Sequence, residues 1–469
     1  MGRRERELRG DAAGGRNRQV NGPPDGGAVP APEGRRCDPE AGQGAPDGSA
    51  ATTRASGVAS PQAGPLLHPP ARPSAKTFAD VGYDEAIRRA RELVPALRER
   101  AARGESARRM LPETEADLHR TGLLRFAQPK RYGGMELDYL SLLELPAELA
   151  RGCASTGWNL ANLGVHHWML ALYDERAQDE LWGKNPDVLI ASGIAFPQGQ
   201  GRKVDGGFVV SGHWNFSSGV DPSDWNMLAV TVRDGERVAG HRMCLVHRSE
   251  YEIIDDWHVM GMRATGSKSV RAKDLFVPEY RALDMYTCRG GADFPGARLN
   301  PNPVYRVPIT TMGSHCLSGA ALGNAQAALE LTCEAVKARS TNYTGMRMRD
   351  FQTVQLRVGA AGARIDAARL ILRQDCIEAQ RVAAEGRIMP LEEKLAVKRN
   401  VAYAVQLCTE AVDLLHSMAG ANGIYDSYPI QRIFRDAHSL GAHIGFAFDA
   451  HGSNWGLVAL GGEFASPTL

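Results

Sequence analysis

Apolar positions fall into three textures along the chain. From about Phe78, segments 83–103 and 142–151 are rich in Ala, Leu, Glu and Arg, with apolar residues three and four apart. That is the spacing of a one-sided helix. The helical pattern continues through 158–182, weakened locally at Gly164 and Gly183. Between Val188 and about Leu283 it gives way to short β-branched or alternating runs at 208–211, 226–232, 243–247, 251–254 and 270–277. Gly206-Gly207, Asp234-Gly235 and the glycine-rich stretch 261–266 separate these runs, as turns separate strands. From Pro308 the helical period returns, and Val401, Val405, Cys408, Val412 and Leu415 form one clean stripe. Segments 317–338 and 352–383 are similar and free of proline, and long amphipathic helices in series predict an antiparallel bundle. The pattern therefore predicts helices over 76–187, a small β-domain over 188–290 and a helical bundle over 291–469.

Residues 1–75 are different. They hold 11 of the 26 prolines, 13 of the 51 glycines and no Phe, Trp or Tyr. Such a segment has too little apolar surface to offset the entropy of ordering, so it is expected to be a disordered extension. It begins with arginines but lacks an apolar core region, which argues against a signal peptide, and its scattered acids argue against an organellar transit peptide.

Charge and cysteine usage narrow the function. With 55 Lys and Arg against 54 Asp and Glu, the chain offers no basic footprint for nucleic acid. No window approaches the 18 or so continuous apolar residues of a membrane span. The cysteines at 37, 153, 244, 288, 316, 333, 376 and 408 show no paired spacing. That pattern argues against a disulfide framework or zinc site and points to a reducing, cytoplasmic setting.

Common nucleotide and hydrolase signals are missing. Gly199-Gln200-Gly201 does not extend to GxGxxG, and there is no GxxxxGK[ST], HExxH or GxSxG. His166 and His167 are adjacent, so their side chains diverge by about 100° on a helix and are poorly placed to share a metal. Two stretches remain. Gly212-His213-Trp214-Asn215-Phe216-Ser217-Ser218-Gly219 reads as a loop after a strand, or more simply as a turn with aromatic packing. Arg435-Asp436-Ala437-His438 with Gly441-Ala442-His443 reads, at its plainest, as a capped helix carrying two solvated histidines.

Together with Ala419-Gly420-Ala421-Asn422-Gly423 and Tyr428-Pro429-Ile430-Gln431-Arg432-Ile433-Phe434-Arg435-Asp436-Ala437, the helix, β-domain and bundle order resembles the acyl-CoA dehydrogenase superfamily over roughly 80–460. The resemblance implies an α+β fold: an N-terminal all-α domain, a middle β-barrel or sandwich and a C-terminal four-helix bundle. Where the dehydrogenases keep a catalytic glutamate after Arg-Asp-Ala, this chain has Ile444, which cannot remove a proton, with His443 just before it. The segments 164–171, Ala191-Ser192-Gly193, 214–219 and Met260-Gly261-Met262-Arg263-Ala264-Thr265-Gly266-Ser267 resemble instead the flavin-dependent monooxygenases of this fold, the oxygenase halves of two-component systems.

That resemblance implies reduced flavin, FMN or FAD, delivered by a separate reductase. Reaction with molecular oxygen then gives a C4a-hydroperoxide that hydroxylates a phenolic or polycyclic aromatic. It implies a homotetramer that purifies largely free of flavin and binds the reduced form more tightly than the oxidised. Trp214, Phe216, Ser217 and Ser218 match the segment laid along the flavin, with Ser217 favoured over Ser218 as the partner of N5. His443 is the expected base, since imidazole titrates near neutrality. His166 and Ser192 match partners of the substrate hydroxyl, with a satisfied core histidine as the plain alternative for His166. Gln352, Gly420 and Gly423 match places that contact FAD across a subunit interface, and Arg263, Thr265 and Ser267 form a candidate anion turn. An acyl-CoA dehydrogenase with tightly bound FAD and an inactive scaffold of the same fold are the alternatives.

Overall fold

The computed structural model describes residues 76–341 and 344–466; the segment expected to be disordered lies outside them. The N-terminal helices are α1 (Tyr83–Ala107), α2 (Pro112–Thr121), α3 (Ser141–Ala150), α4 (Ala154–Leu170) and α5 (Glu175–Leu181). In α1 the buried positions Ala86, Ile87, Ala90, Leu93, Val94, Leu97 and Ala101 follow the three-and-four spacing read from the sequence. Helix α4 is buried nearly all round, the mark of a central helix. Gly164 belongs to this packing: a Cβ there would lie 2.1 Å from the Phe126 ring, so glycine lets the two elements meet.

The β-domain is one mixed eight-stranded sheet: β1 (Ile190–Gly193), β2 (Gly199–Val204), β3 (Gly207–Ser217), β4 (Trp225–Asp234), β5 (Arg237–His247), β6 (Glu252–Ile254), β7 (Lys268–Pro278) and β8 (Ala282–Asp284). The order is β6-β7-β3-β2-β4-β5-β8, with β1 parallel to β4. Strands β1, β2 and β8 were not read from the sequence. Strand β3 also runs through Trp214 to Ser217, where a loop was expected. Register shifts against β7 between Val210 and Gly212, and again between Trp214 and Ser217, bend it while it stays paired.

The C-terminal part holds α6 (Ile309–Ala338), α7 (Gln352–Ala384), α8 (Leu391–Ser417), α9 (Pro429–Gly441) and α10 (Phe448–Ala459). The buried faces of α6, α7, α8 and α9 join those of α1, α3 and α4 in one continuous apolar core, and α8 buries Val401, Val405, Cys408, Val412 and Leu415 as its stripe requires. A second core fills the β-domain. No described helix is long and apolar enough to cross a membrane.

Candidate active site

Helix α4 and strand β1 form one wall. Nδ1 of His166 donates to the carbonyl of Ile190 at 2.5 Å. A carbonyl can only accept, so the ring hydrogen sits on Nδ1 and Nε2 is left with its lone pair. Burial holds the His166 pKa down at about 4, only partly offset by that hydrogen bond, so the ring is neutral near pH 7. Ser192 is buried and lies two residues beyond Ile190 on β1, hence on the same face of the strand. His167 turns elsewhere: its Nδ1 accepts from Nε1–H of Trp182 at 3.0 Å, and burial lowers its pKa to about 3.

Ser217, which ends β3, and Ser218, just after it, are both buried but meet different partners. Ser217 is fully buried, and its Oγ accepts from Nδ2 of Asn226 on β4 at 2.9 Å. Ser218 Oγ accepts from Nε1–H of Trp158 on α4 at 3.0 Å and lies 2.8 Å from Ser267 Oγ. Ser267 Oγ is 2.6 Å from Thr265 Oγ1, which donates to the carbonyl of Met262 at 2.8 Å. Phe216 carries a positive φ of 64° and is 68% exposed, its ring edge-on to Trp257 at 6.0 Å. That backbone conformation is uncommon for a bulky residue and here presents an aromatic surface outward.

Trp158 joins this cluster to the turn after α9. Its ring meets His443 edge-on, centroids 5.5 Å apart. His443 caps that turn, with Nδ1 accepting from the backbone N–H of Gly445 at 3.1 Å. The ring hydrogen therefore sits on Nε2, the reverse of His166, and burial lowers the pKa to about 4. This arrangement runs against the expectation of His443 as a base near neutrality. The hydrogen on Nε2 makes that nitrogen a donor, while the lowered pKa is shared with His166 and does not separate the two rings.

The Arg-Asp pair of α9 clamps the segment leading to Thr265. Arg435 Nη1 donates to the carbonyl of Met260 and pairs with Glu105, while Asp436 Oδ1 accepts from the Met262 N–H at 2.6 Å. Burial raises the Asp436 pKa to about 6. A Cβ at Gly261 would lie 2.4 Å from the Arg435 carbonyl, so the close approach requires glycine. Within this segment Arg263 buries Nε without a hydrogen-bond partner among the described residues.

Other expected residues lie apart. Trp214 is fully buried in the β-domain core and donates to the carbonyl of Ala229 at 2.7 Å, so its side chain is a core element rather than a cofactor contact. Gln352 and Gly420 are exposed and Gly423 is buried. They sit where α7 meets the end of α8, bridged by Arg357 Nη1 to Ser417 Oγ at 3.2 Å, and no described hydrogen bond links them to Ser218. Trp158 was missed by sequence reasoning, which took it only as part of a helix. Its position two turns before His166 on α4 is the signal that was available.

The acyl-CoA dehydrogenase N-terminal domain model matches residues 84–183, and the acyl-CoA dehydrogenase C-terminal domain model matches 315–448. The flavin-dependent monooxygenase oxygenase subunit HsaA of Mycobacterium tuberculosis is 36% identical over 352 residues, 75% of this chain and 89% of that protein. The chain belongs to the flavin-dependent monooxygenase oxygenase components. The p-hydroxyphenylacetate 3-hydroxylase oxygenase component of Acinetobacter baumannii is 31% identical, covering 83% of this chain and 92% of that protein. The crystal structure of 3-HSA hydroxylase from Rhodococcus sp. RHA1 superposes with a TM-score of 0.78 at 31% identity, covering 82% of this chain and 99% of that one. Membership decides for the oxygenase over the dehydrogenase and the scaffold, on the fold that the sequence implied.

The oxygenase uses a flavin, and the residues present suit one. An outward aromatic at Phe216, a run of hydroxyls at Ser218, Ser267 and Thr265, and an unpartnered buried guanidinium nitrogen at Arg263 match a flat apolar ring with a polar edge and an anionic tail.

Proposed function

We propose that this oxygenase hydroxylates a phenolic aromatic, with Nε2 of His166 accepting the phenolic proton and Ser192 donating to the same oxygen. A separate reductase supplies the reduced flavin, and the enzyme works as a cytoplasmic homotetramer. The observation that carries the reading is the tautomer of His166: with Nδ1–H committed to Ile190, the other nitrogen is a lone pair held on a buried wall. The name of the p-hydroxyphenylacetate relative, itself a hydroxylase of a phenol, supports the substrate class.

Bound flavin supplies the activation of oxygen, and the protein residues have separate tasks. His166 draws off the phenolic proton, which raises electron density on the ring to be attacked. Ser192, buried on the strand that supplies the Ile190 carbonyl, orients the oxygen. Phe216 and Trp257 offer an aromatic platform, and Arg263 is placed to receive an anionic tail. Ser218, on the Trp158 and His443 side, takes the N5 position in preference to Ser217, whose hydroxyl is turned against Asn226. His443 Nε2–H is a hydrogen-bond donor on that same side.

Single-turnover hydroxylation of substituted phenols, started with chemically reduced flavin so that no reductase is needed, tests the proposal. Product formation should be level from pH 6 to 8, since His166 is neutral throughout, and the O-methyl ether of a good substrate should give no hydroxylated product. Equal turnover of the phenol and its ether would overturn the role of His166.

A further inference from the structure

The hydroxyl cluster beside Trp158 has only one consistent set of hydrogen positions. Each serine or threonine hydroxyl has a single hydrogen to donate. Thr265 must give its hydrogen to the Met262 carbonyl, 2.8 Å away, because a carbonyl cannot donate in return. The 2.6 Å contact between Thr265 and Ser267 is then made by the hydrogen of Ser267. With that hydrogen spent, the 2.8 Å contact between Ser267 and Ser218 is made by the hydrogen of Ser218. At the other end the indole N–H of Trp158, which can only donate, occupies one lone pair of Ser218 at 3.0 Å. Hydrogens therefore run one way, from Trp158 through Ser218, Ser267 and Thr265 to Met262. Ser218 is left with one lone pair and no hydrogen to offer. Ser217, next to it, accepts from Asn226 and keeps its hydrogen, but it is fully buried.

Flavin N5 changes character with redox state. Oxidised, it is a bare nitrogen that accepts a hydrogen bond; reduced, it carries a hydrogen and donates. We infer that Ser267 and Thr265 are specificity-determining residues for the redox state of the flavin: by consuming the hydrogen of Ser218 they make it an obligate acceptor, which suits reduced N5–H and opposes oxidised N5. To donate to oxidised N5, Ser218 would have to reverse the chain, and Thr265 would lose its bond to Met262. Discrimination is thus set by about one hydrogen bond, made three residues from the serine that reads the flavin. The inference rests on the proposal that Ser218 faces N5.

Anaerobic equilibrium titration of the full chain with oxidised and with dithionite-reduced FMN and FAD tests it, the readout being the ratio of the two dissociation constants for each flavin. Thr265→Val is nearly isosteric but cannot accept from Ser267, so the Ser267 hydrogen is free to turn onto Ser218 and release that hydroxyl. The oxidised-to-reduced ratio should fall about fivefold, what one ordinary hydrogen bond is worth, mainly through tighter oxidised binding. Thr265→Ser keeps the hydroxyl and should keep the wild-type ratio, which separates loss of direction from loss of packing. If Ser218→Ala weakens reduced-flavin binding while Thr265→Val leaves the ratio unchanged, the directional chain is wrong and the placement of Ser218 stands. If Ser218→Ala alters neither constant, Ser218 does not face N5, and the inference falls with that placement.

Discussion

Two histidines on two elements show how one side chain is held in opposite tautomers. His166, on α4, gives its Nδ1 hydrogen to a strand carbonyl and turns a lone pair outward. His443, in the turn after α9, accepts a backbone N–H on Nδ1 and turns an N–H outward. Burial holds both near a pKa of about 4, so neither charges at neutral pH and the difference lies wholly in the tautomer. The backbone partner, rather than the ring, decides which nitrogen of each histidine carries the hydrogen. Ser217 and Ser218 repeat the lesson at the end of β3, where adjacent hydroxyls are separated by which neighbour each meets.

The largest expected effect breaks the accepting wall. His166→Ala should lower single-turnover hydroxylation of a phenol by roughly 10²–10⁴-fold, the range of a lost general base, with reduced-flavin affinity little changed. Product quantified after a single mixing step checks it.

The donating wall should respond less. His443→Ala removes a hydrogen bond rather than a base and should lower product yield about tenfold, with oxygen diverted to hydrogen peroxide. His443→Gln retains an N–H donor and should recover most of the yield. A glutamine variant as poor as the alanine variant would return proton acceptance to His443. The serine pair comes next. Ser218→Ala should raise the peroxide fraction about fivefold, and Ser217→Ala should change it little, provided the fold is kept. Peroxide titrated against product reads both, and the opposite order would restore Ser217 as the flavin partner.

The smallest effect is on stability. His166, His167 and His443 have folded pKa values of about 4, 3 and 4, below the ordinary 6.5. The unfolded chain therefore binds more protons in that interval, and their contribution, complete above about pH 6.5, is lost as pH falls toward 4. Asp436, raised to about 6, acts in the opposite sense between about pH 6 and its ordinary 3.8. Three groups against one leave a net loss from these four, so the melting temperature should fall between pH 6.5 and 4.5. His167→Gln, which can still accept from Trp182, should flatten that fall.

Order and type of the long helices were legible because each buries a stripe at helical spacing. Strands β1, β2 and β8 were not. β1 is four residues buried on both faces and so shows no alternation; β2 carries two glycines among polar residues; β8 is three residues long. The site was legible as a set of segments but not as directions. Nothing near Ser217 and Ser218 in sequence says that one meets Asn226 on β4 and the other Trp158 on α4, sixty residues upstream. The imidazole chemistry of His443 is plain from its identity, yet its tautomer depends on the N–H of Gly445, and that of His166 on a carbonyl 24 residues away. Trp214 misled because an aromatic beside the flavin segment looks exposed until strand alternation turns it into the β-domain core.

Histidine-selective ¹⁵N NMR at pH 7 reads the tautomers directly, with His166→Asn and His443→Gln used to assign the two rings. Nδ1 of His166 should appear protonated and its Nε2 bare, while His443 shows the reverse pattern. Both rings carrying hydrogen on Nε2, or either ring doubly protonated at pH 7, would contradict the division between an accepting and a donating wall.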